Sequence, residues 1–204
     1  MVEYIEKSGH PTLKIEYTEP DCIDRIANYI EFLTQIHGRE YDKICIFCIG
    51  TDRCIYDALG PLVGHKLSKR KIVTRNVNLI GTLRQPAHAL NLDDMRKRIP
   101  KNSLVIAIDA SVGSDESLGL IYVSNSKVSP GSGTNKDLGS IGDISIKAIT
   151  ISHSDSLLFG NPSSTRLSFV NNLSEAVYRG IHLYVKRRYD PREIERNQKM
   201  ATLS

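Results

Sequence analysis

Two aspartates stand where an α/β protein builds its chemistry. Asp57 follows the Gly50-Thr51 turn after the apolar run "KICIFCIG" (43–50) and opens the segment "DALGPLVGHKLSKR". Asp109 closes the run "SLVIAIDA" (103–110). In α/β sheets, sites form in the crevice beyond the carboxyl ends of strands, where loops meet helix N-termini. If these two strands are neighbours, both carboxylates face one crevice. Carboxylates held close push their pKa values apart, so one can take a proton while the other gives one. The same pair could instead hold a divalent metal. A purely structural account is also open, in which Asp57 caps its helix and Asp109 bonds loop amides.

Two further segments are candidate walls for such a crevice. "SPGSGTNKDLG" (129–139) is rich in Gly, Ser and Asn, and is longer than a tight turn requires. It does not match the GxxxxGK[ST] phosphate loop, but its amides could bind a peptide or an anion, or it could be a plain surface loop. "GTLRQPAHALNL" (81–92) brings Arg84 and His88. The cysteines invite a different reading, because Cys45 and Cys48 form a CxxC. That motif lowers a thiol pKa when it begins a helix; here it lies inside a predicted strand, where positions i and i+3 point to opposite faces. No second short-spaced ligand pair completes a tetrahedral zinc site. These are core cysteines.

The elements that must position the acids alternate between strand and helix. "TLKIEYTE" (12–19) reads as an edge strand. Cys22, Ile26, Ile30 and Leu33 then recur at helical spacing, with Gly38 as a stop. The β-branched run at 43–50 has the character of a strand buried on both faces. A helix follows it with Pro61 in its first turn and Leu59, Leu62, Val63 and Leu67 as its apolar residues. Strands are expected at 76–82, 103–110, 118–124 and 143–152, and a short helix at 91–99. A long closing helix carries Leu173, Val177, Ile181 and Val185 on one stripe. The expectation is a central mixed sheet with helices on both faces.

Composition sets the outer bounds. A chain of 204 residues, 40% hydrophobic and 25% charged, fits one α/β domain, 1–204, with a charged extension from about 190. The net charge of +4 comes from runs such as Lys66–Arg70, Arg96–Lys101 and Lys186–Arg188. Such runs read as solvated helix faces, not as a nucleic-acid surface. There is no apolar run of the ~18 residues a membrane span needs. The N-terminal "MVEYIEKSGH" has no secretory character. Four cysteines without an export signal point to reduced thiols in a cytoplasm.

In order along the chain, "CIGTDRCIYDALGPLVG", "GTLRQPAHALNL", "VIAIDASVG", "VSPGSGTNKDLGSIGDISI" and "NPSSTRLSFV" resemble the YyaC-type sporulation proteins, relatives of the spore germination protease. The resemblance covers roughly residues 40–185. It implies the three-layer α/β/α fold of the germination protease and the hydrogenase-maturation peptidases, and a cytoplasmic place in a sporulating cell or forespore. The germination protease is an atypical acid protease that degrades small, acid-soluble spore proteins. Its important aspartates lie in a "DALGP" turn and at the end of a "VDAL"-like strand, which here are Asp57 and Asp109. Its "PGSG…NK" loop corresponds to Gly131, Ser132, Gly133, Asn135 and Lys136, which become substrate-binding candidates beside Asp52 and Arg53.

The resemblance has departures. Hydrogenase-maturation peptidases carry a metal-binding acid before a Gly-Thr pair, whereas Leu79 and Ile80 precede Gly81-Thr82 here, so no cofactor or metal is expected. Tyr56 stands where family members often carry Gly, and its phenol would narrow the crevice. The expected activity is an aspartate-pair peptidase whose oxyanion is held by amides of the 50–54 turn or the 131–135 loop. Small acid-soluble spore proteins or another peptide are the expected partners, and basic peptides would suit an acidic crevice. One alternative is a peptide-binding regulator that keeps the fold without catalysis; another is a metal-dependent hydrolase of small molecules.

Overall fold

The computed structural model describes residues 10–70, 72–130, 138–156 and 165–190. Six strands form one sheet in the order β1-β5-β6-β4-β2-β3. They are β1 (Thr12–Glu16), β2 (Lys43–Cys48), β3 (Val77–Ile80), β4 (Ser103–Gly113), β5 (Leu120–Ser124) and β6 (Ile144–Ser152). From β6 to β3 the neighbours are parallel; β5 runs antiparallel to β6 and to the edge strand β1. The sheet is therefore mixed, as the alternation of elements indicated, and β2 and β4 are direct neighbours.

Helices cover both faces. On one lie α1 (Cys22–Ile36), α2 (Leu59–Lys69) and α5 (Leu167–Tyr189). Their apolar stripes, including Ile26, Ile30 and Leu33 from α1 and Leu173, Val177 and Ile181 from α5, bury against Ile44, Ile46, Ile106, Ile108 and Ile146. Each such side chain removed from water contributes about 1.5–3 kcal/mol. At Gly180 a Cβ would stand 2.5 Å from Ile26 Cγ2, so glycine is what lets α5 settle onto α1. On the other face a smaller core of Cys45, Phe47, Ile49, Val105 and Ala107 packs under α3 (Leu92–Arg96) through Leu92 and Met95. A four-residue turn of helix, α4 (His153–Ser156), follows β6. The result is a three-layer α/β/α arrangement with unequal outer layers.

The cysteine question is answered by the same alternation. Cys45 belongs to the smaller core and Cys48 to the larger one, on opposite faces of β2, and both are fully buried. Burial pushes the Cys45 thiol up to about 12 and Cys48 higher still. Neither is a nucleophile or a metal ligand in this state.

Several basic residues taken as solvated helix faces tie helices together instead. Lys66 on α2 reaches Asn171 and Glu175 on α5 at 3.0 and 2.9 Å, Arg70 bonds the Tyr178 hydroxyl at 2.8 Å, and Arg187 bonds Asn28 and Asp24 on α1. Register between β4 and β6 is fixed at their start by Asp143. Its amide donates to the Val105 carbonyl (2.8 Å), its carboxylate accepts the Val105 amide (2.8 Å), and Arg39 braces the carboxylate at 3.1 Å. A one-residue slip would move every side chain of β6 to the other face, so this pin also decides which residue of β6 lies beside Asp109. No helix among the described residues is long and apolar enough to cross a membrane.

Candidate active site

The chain leaves β2 through an unusual backbone path. The Ile49 amide donates to the Ile108 carbonyl (2.8 Å) and the Gly50 amide to the Ala87 carbonyl (2.8 Å). Gly50 then turns with φ +131°, a conformation L side chains rarely adopt, and a Cβ there would meet the Asp57 carbonyl at 2.1 Å. The chain doubles back through a 3-10 turn at Ile55–Asp57 into α2. Gly60 and Gly64, four residues apart and so on one face of α2, set the helix directly on the strand ends. A Cβ would lie 2.0 Å from the Ile49 carbonyl oxygen at Gly60, and 1.8 Å from that of Gly81 at Gly64. This close seating holds Asp57 at the end of β2.

Asp57 makes no helix cap. Its carboxylate accepts the Thr51 amide at 3.0 Å, closing the turn on itself. Burial pushes its pKa up to about 6, with the Thr51 hydrogen bond pulling the other way. Asp109 is pushed up to about 8, first by burial and then by the negative charge of Asp57. The Lys147 ammonium and the Ala110 amide offset part of that rise. Asp109 therefore feels the charge of Asp57.

Asp109 does not end its strand, as the sequence had indicated. β4 runs on to Gly113 because β6 continues beside it, with a bulge between Ser111 and Val112 that absorbs the register shift. The polar, glycine-terminated "DASVG" hid this extension. What ends beside Asp109 is β2, one strand over, so the acid still lies next to the carboxyl end of a parallel strand. Among the other candidates, Asp52 and Arg53 lie exposed on the turn. Gly131, Ser132, Gly133, Asn135 and Lys136 lie outside the described residues. The 81–92 segment reaches the chain leaving β2 through a parallel bridge between Ile49 and Ala87. Its Arg84 is exposed, and His88 serves its own loop: its Nδ1 accepts the Leu90 amide (3.2 Å), and its amide donates to the Asn91 side chain (2.9 Å). Tyr56 is turned to the Cys54 side chain; that hydrogen bond, burial and the nearby Asp57 charge push the phenol up to about 12.

Two expectations change. The amides of Gly50, Thr51 and Arg53 already donate, to the Ala87 carbonyl, to Asp57 and to the Thr51 hydroxyl, so these three cannot serve an oxyanion without breaking the turn. Nor is the crevice simply acidic. Lys147 stands directly across from Asp109 in the β4–β6 register. A lysine as the one charged residue of the strand "ISIKAITIS" was the signal for it, overlooked because the run reads as core. Among the described residues no three His, Cys, Asp or Glu side chains come together as metal ligands.

The raised acids make stability depend on pH. A carboxyl whose folded pKa lies above its ordinary value binds its proton more tightly when folded. Its contribution is complete below about pH 4 and is lost as pH rises, through about 6 for Asp57 and about 8 for Asp109. Asp109→Asn is therefore expected to stabilise the protein at pH 8 by on the order of 2 kcal/mol, or about 4–8 °C in Tm for a chain of this size. The gain should shrink toward zero at pH 4. Thermal melts of both proteins across that range test this, and a gain independent of pH would contradict it.

Comparison with known proteins places the chain in a family. The family described as "Protein of unknown function (DUF1256)" matches residues 14–180, which include both aspartates, Lys147 and most of the sheet. The chain belongs to the DUF1256 family. It is also 37% identical over 143 residues to the YyaC protein of Bacillus subtilis (strain 168), covering 69% of this chain and 68% of that one, so the YyaC-type resemblance stands. Among solved structures, a [NiFe] hydrogenase maturation protease, HycI, from Thermococcus kodakarensis aligns with a TM-score of 0.42 and 18% identity, over 74% of this chain and 99% of that one. At that score the likeness assigns no function to this DUF1256 chain.

Proposed function

We propose that this DUF1256 protein is a peptidase-like hydrolase working through the Asp57–Asp109 pair. The observation that carries the reading is the adjacency of β2 and β4, which couples two half-buried carboxyls whose proton affinities straddle neutrality. Ionised Asp57 takes a proton from water as its oxygen attacks the peptide carbonyl. Protonated Asp109 gives its proton to the leaving nitrogen, the C–N bond breaks, and the pair ends with its charge states exchanged. One proton is taken up and one released, so the cycle closes with a proton shift between the acids.

The motif resemblance to the germination protease makes small acid-soluble spore proteins the first substrates to test, in the cytoplasm of the sporulating cell or forespore. Because Lys147 offsets the acids, the site does not demand a basic peptide. The test is mass spectrometry of such proteins after incubation with purified protein, with and without chelator. Defined fragments in both conditions support the reading. Fragments lost on chelation and restored by a divalent ion support the metal-dependent alternative, and intact substrate throughout removes the peptidase.

A further inference from the structure

A hydrolase of this kind needs a positive donor for the oxygen that gains charge when water adds to the carbonyl. Of the expected donors in the 50–54 turn, the amides of Gly50, Thr51 and Arg53 are already spent, and the 131–135 loop lies outside the described residues. A cation beside Asp109, Lys147, is free of such bonds among the described residues. Lys147 is the in-register neighbour of Asp109, and directly paired residues on adjacent strands share a face. That face carries an ordered row, with Lys14 opposite Tyr122, Tyr122 opposite Lys147, and Lys147 opposite Asp109. Lys147 is half-buried and makes no hydrogen bond or ion pair among the described residues, whereas Lys66, Lys97 and Arg187 all do. An ammonium brings three donors on a flexible four-carbon stem.

We infer that Lys147 is the third catalytic side chain of the site: its ammonium receives the oxyanion formed on the scissile carbonyl, beside the acid Asp109. This assignment rests on the peptidase reading. It explains why a charged residue occupies an interior position of β6, next to Asp109 and away from the helix-linking ion pairs. It also accounts for the partial restraint on Asp109, whose carboxyl feels the Lys147 charge.

The test compares wild type, Lys147→Met and Lys147→Arg by steady-state kinetics on whichever spore protein or peptide the wild type cleaves, with the Asp109 carboxyl followed by carbon NMR. Lys147→Met keeps the stem and removes the charge. Its kcat should fall by about 10²–10³-fold, the loss found on removing one oxyanion donor, with KM changed by less than about threefold. Lys147→Arg should recover part of the rate. The Asp109 midpoint should rise in Lys147→Met, which a merely packing lysine would not cause. Full activity in Lys147→Met overturns the Lys147 assignment and leaves the aspartate pair standing. A wild type that cleaves no peptide overturns both.

Discussion

Asp57→Asn is expected to lower peptide cleavage by about 10²–10⁴-fold, the usual worth of a positioned acid or base, with little change in the fold. The amide side chain of asparagine still offers an oxygen to the Thr51 amide, so the closed turn at 51–57 survives. What disappears is a proton acceptor. In the proposed mechanism only ionised Asp57 together with protonated Asp109 is productive, a combination expected between about pH 6 and about pH 8. Wild-type kcat/KM should therefore trace a bell over that interval. Asp57→Asn should lose its acid limb along with the rate. Asp109→Asn, unable to protonate the leaving nitrogen, should lose the alkaline limb. A variant in which Asp57→Asn cleaves at wild-type rate would remove the general base from the account.

A large loss of stability is expected at Gly60, more than at either aspartate. Gly60→Ala would set a Cβ against the Ile49 carbonyl oxygen at 2.0 Å, its amide nitrogen at 2.7 Å and its carbonyl carbon at 2.8 Å. All three are backbone atoms of the strand end, so no side chain can swing away. The helix must lift, and overpacking of this kind costs about 3 kcal/mol or more, roughly 6–12 °C in Tm. Gly38→Ala is the control. Gly38 also has a positive φ, +70°, but the nearest atom to its added Cβ is the Ile36 carbonyl oxygen at 3.9 Å, so only conformational strain of about 1 kcal/mol is at stake. Urea unfolding of the two variants separates the effects. Equal destabilisation would show that the close seating of α2 on β2 does not matter. Lifting α2 also displaces Asp57, so Gly60→Ala should lose activity below its melting temperature as well.

Much of the fold is legible in the sequence because its signals are local. The continuous apolar run of β2, the stripe of α1 through Ile26, Ile30 and Leu33, and that of α5 through Leu173, Val177 and Ile181 each follow from period and burial alone. The meeting of Asp57 and Asp109 is conditional in the sequence, since strand order is a long-range property. β2 and β4 are separated in the chain by α2, β3 and α3, and only the parallel pairing of Lys43–Cys48 with Ser103–Ile108 brings them together.

What escaped reading shares one cause. The extension of β4 to Gly113 depends on β6 lying beside it, and Lys147 gains meaning only from the register that Asp143 fixes. Gly60 and Gly64 look like poor helix residues until the Ile49 and Gly81 carbonyls are seen against them. Each of these is decided by a partner more than ten residues away in the chain.

The central claim, that Asp57 and Asp109 form one coupled proton-sharing pair, is tested most directly by carbon NMR titration of labelled aspartate carboxyls in wild type and in Asp57→Asn. Wild type should show two carboxyls titrating far above the ordinary range, with midpoints near 6 and near 8. In Asp57→Asn the upper midpoint should fall, because the negative neighbour that helps raise it is gone. Two midpoints near the ordinary value of about 4, or an Asp109 midpoint unmoved by Asp57→Asn, would contradict the pair.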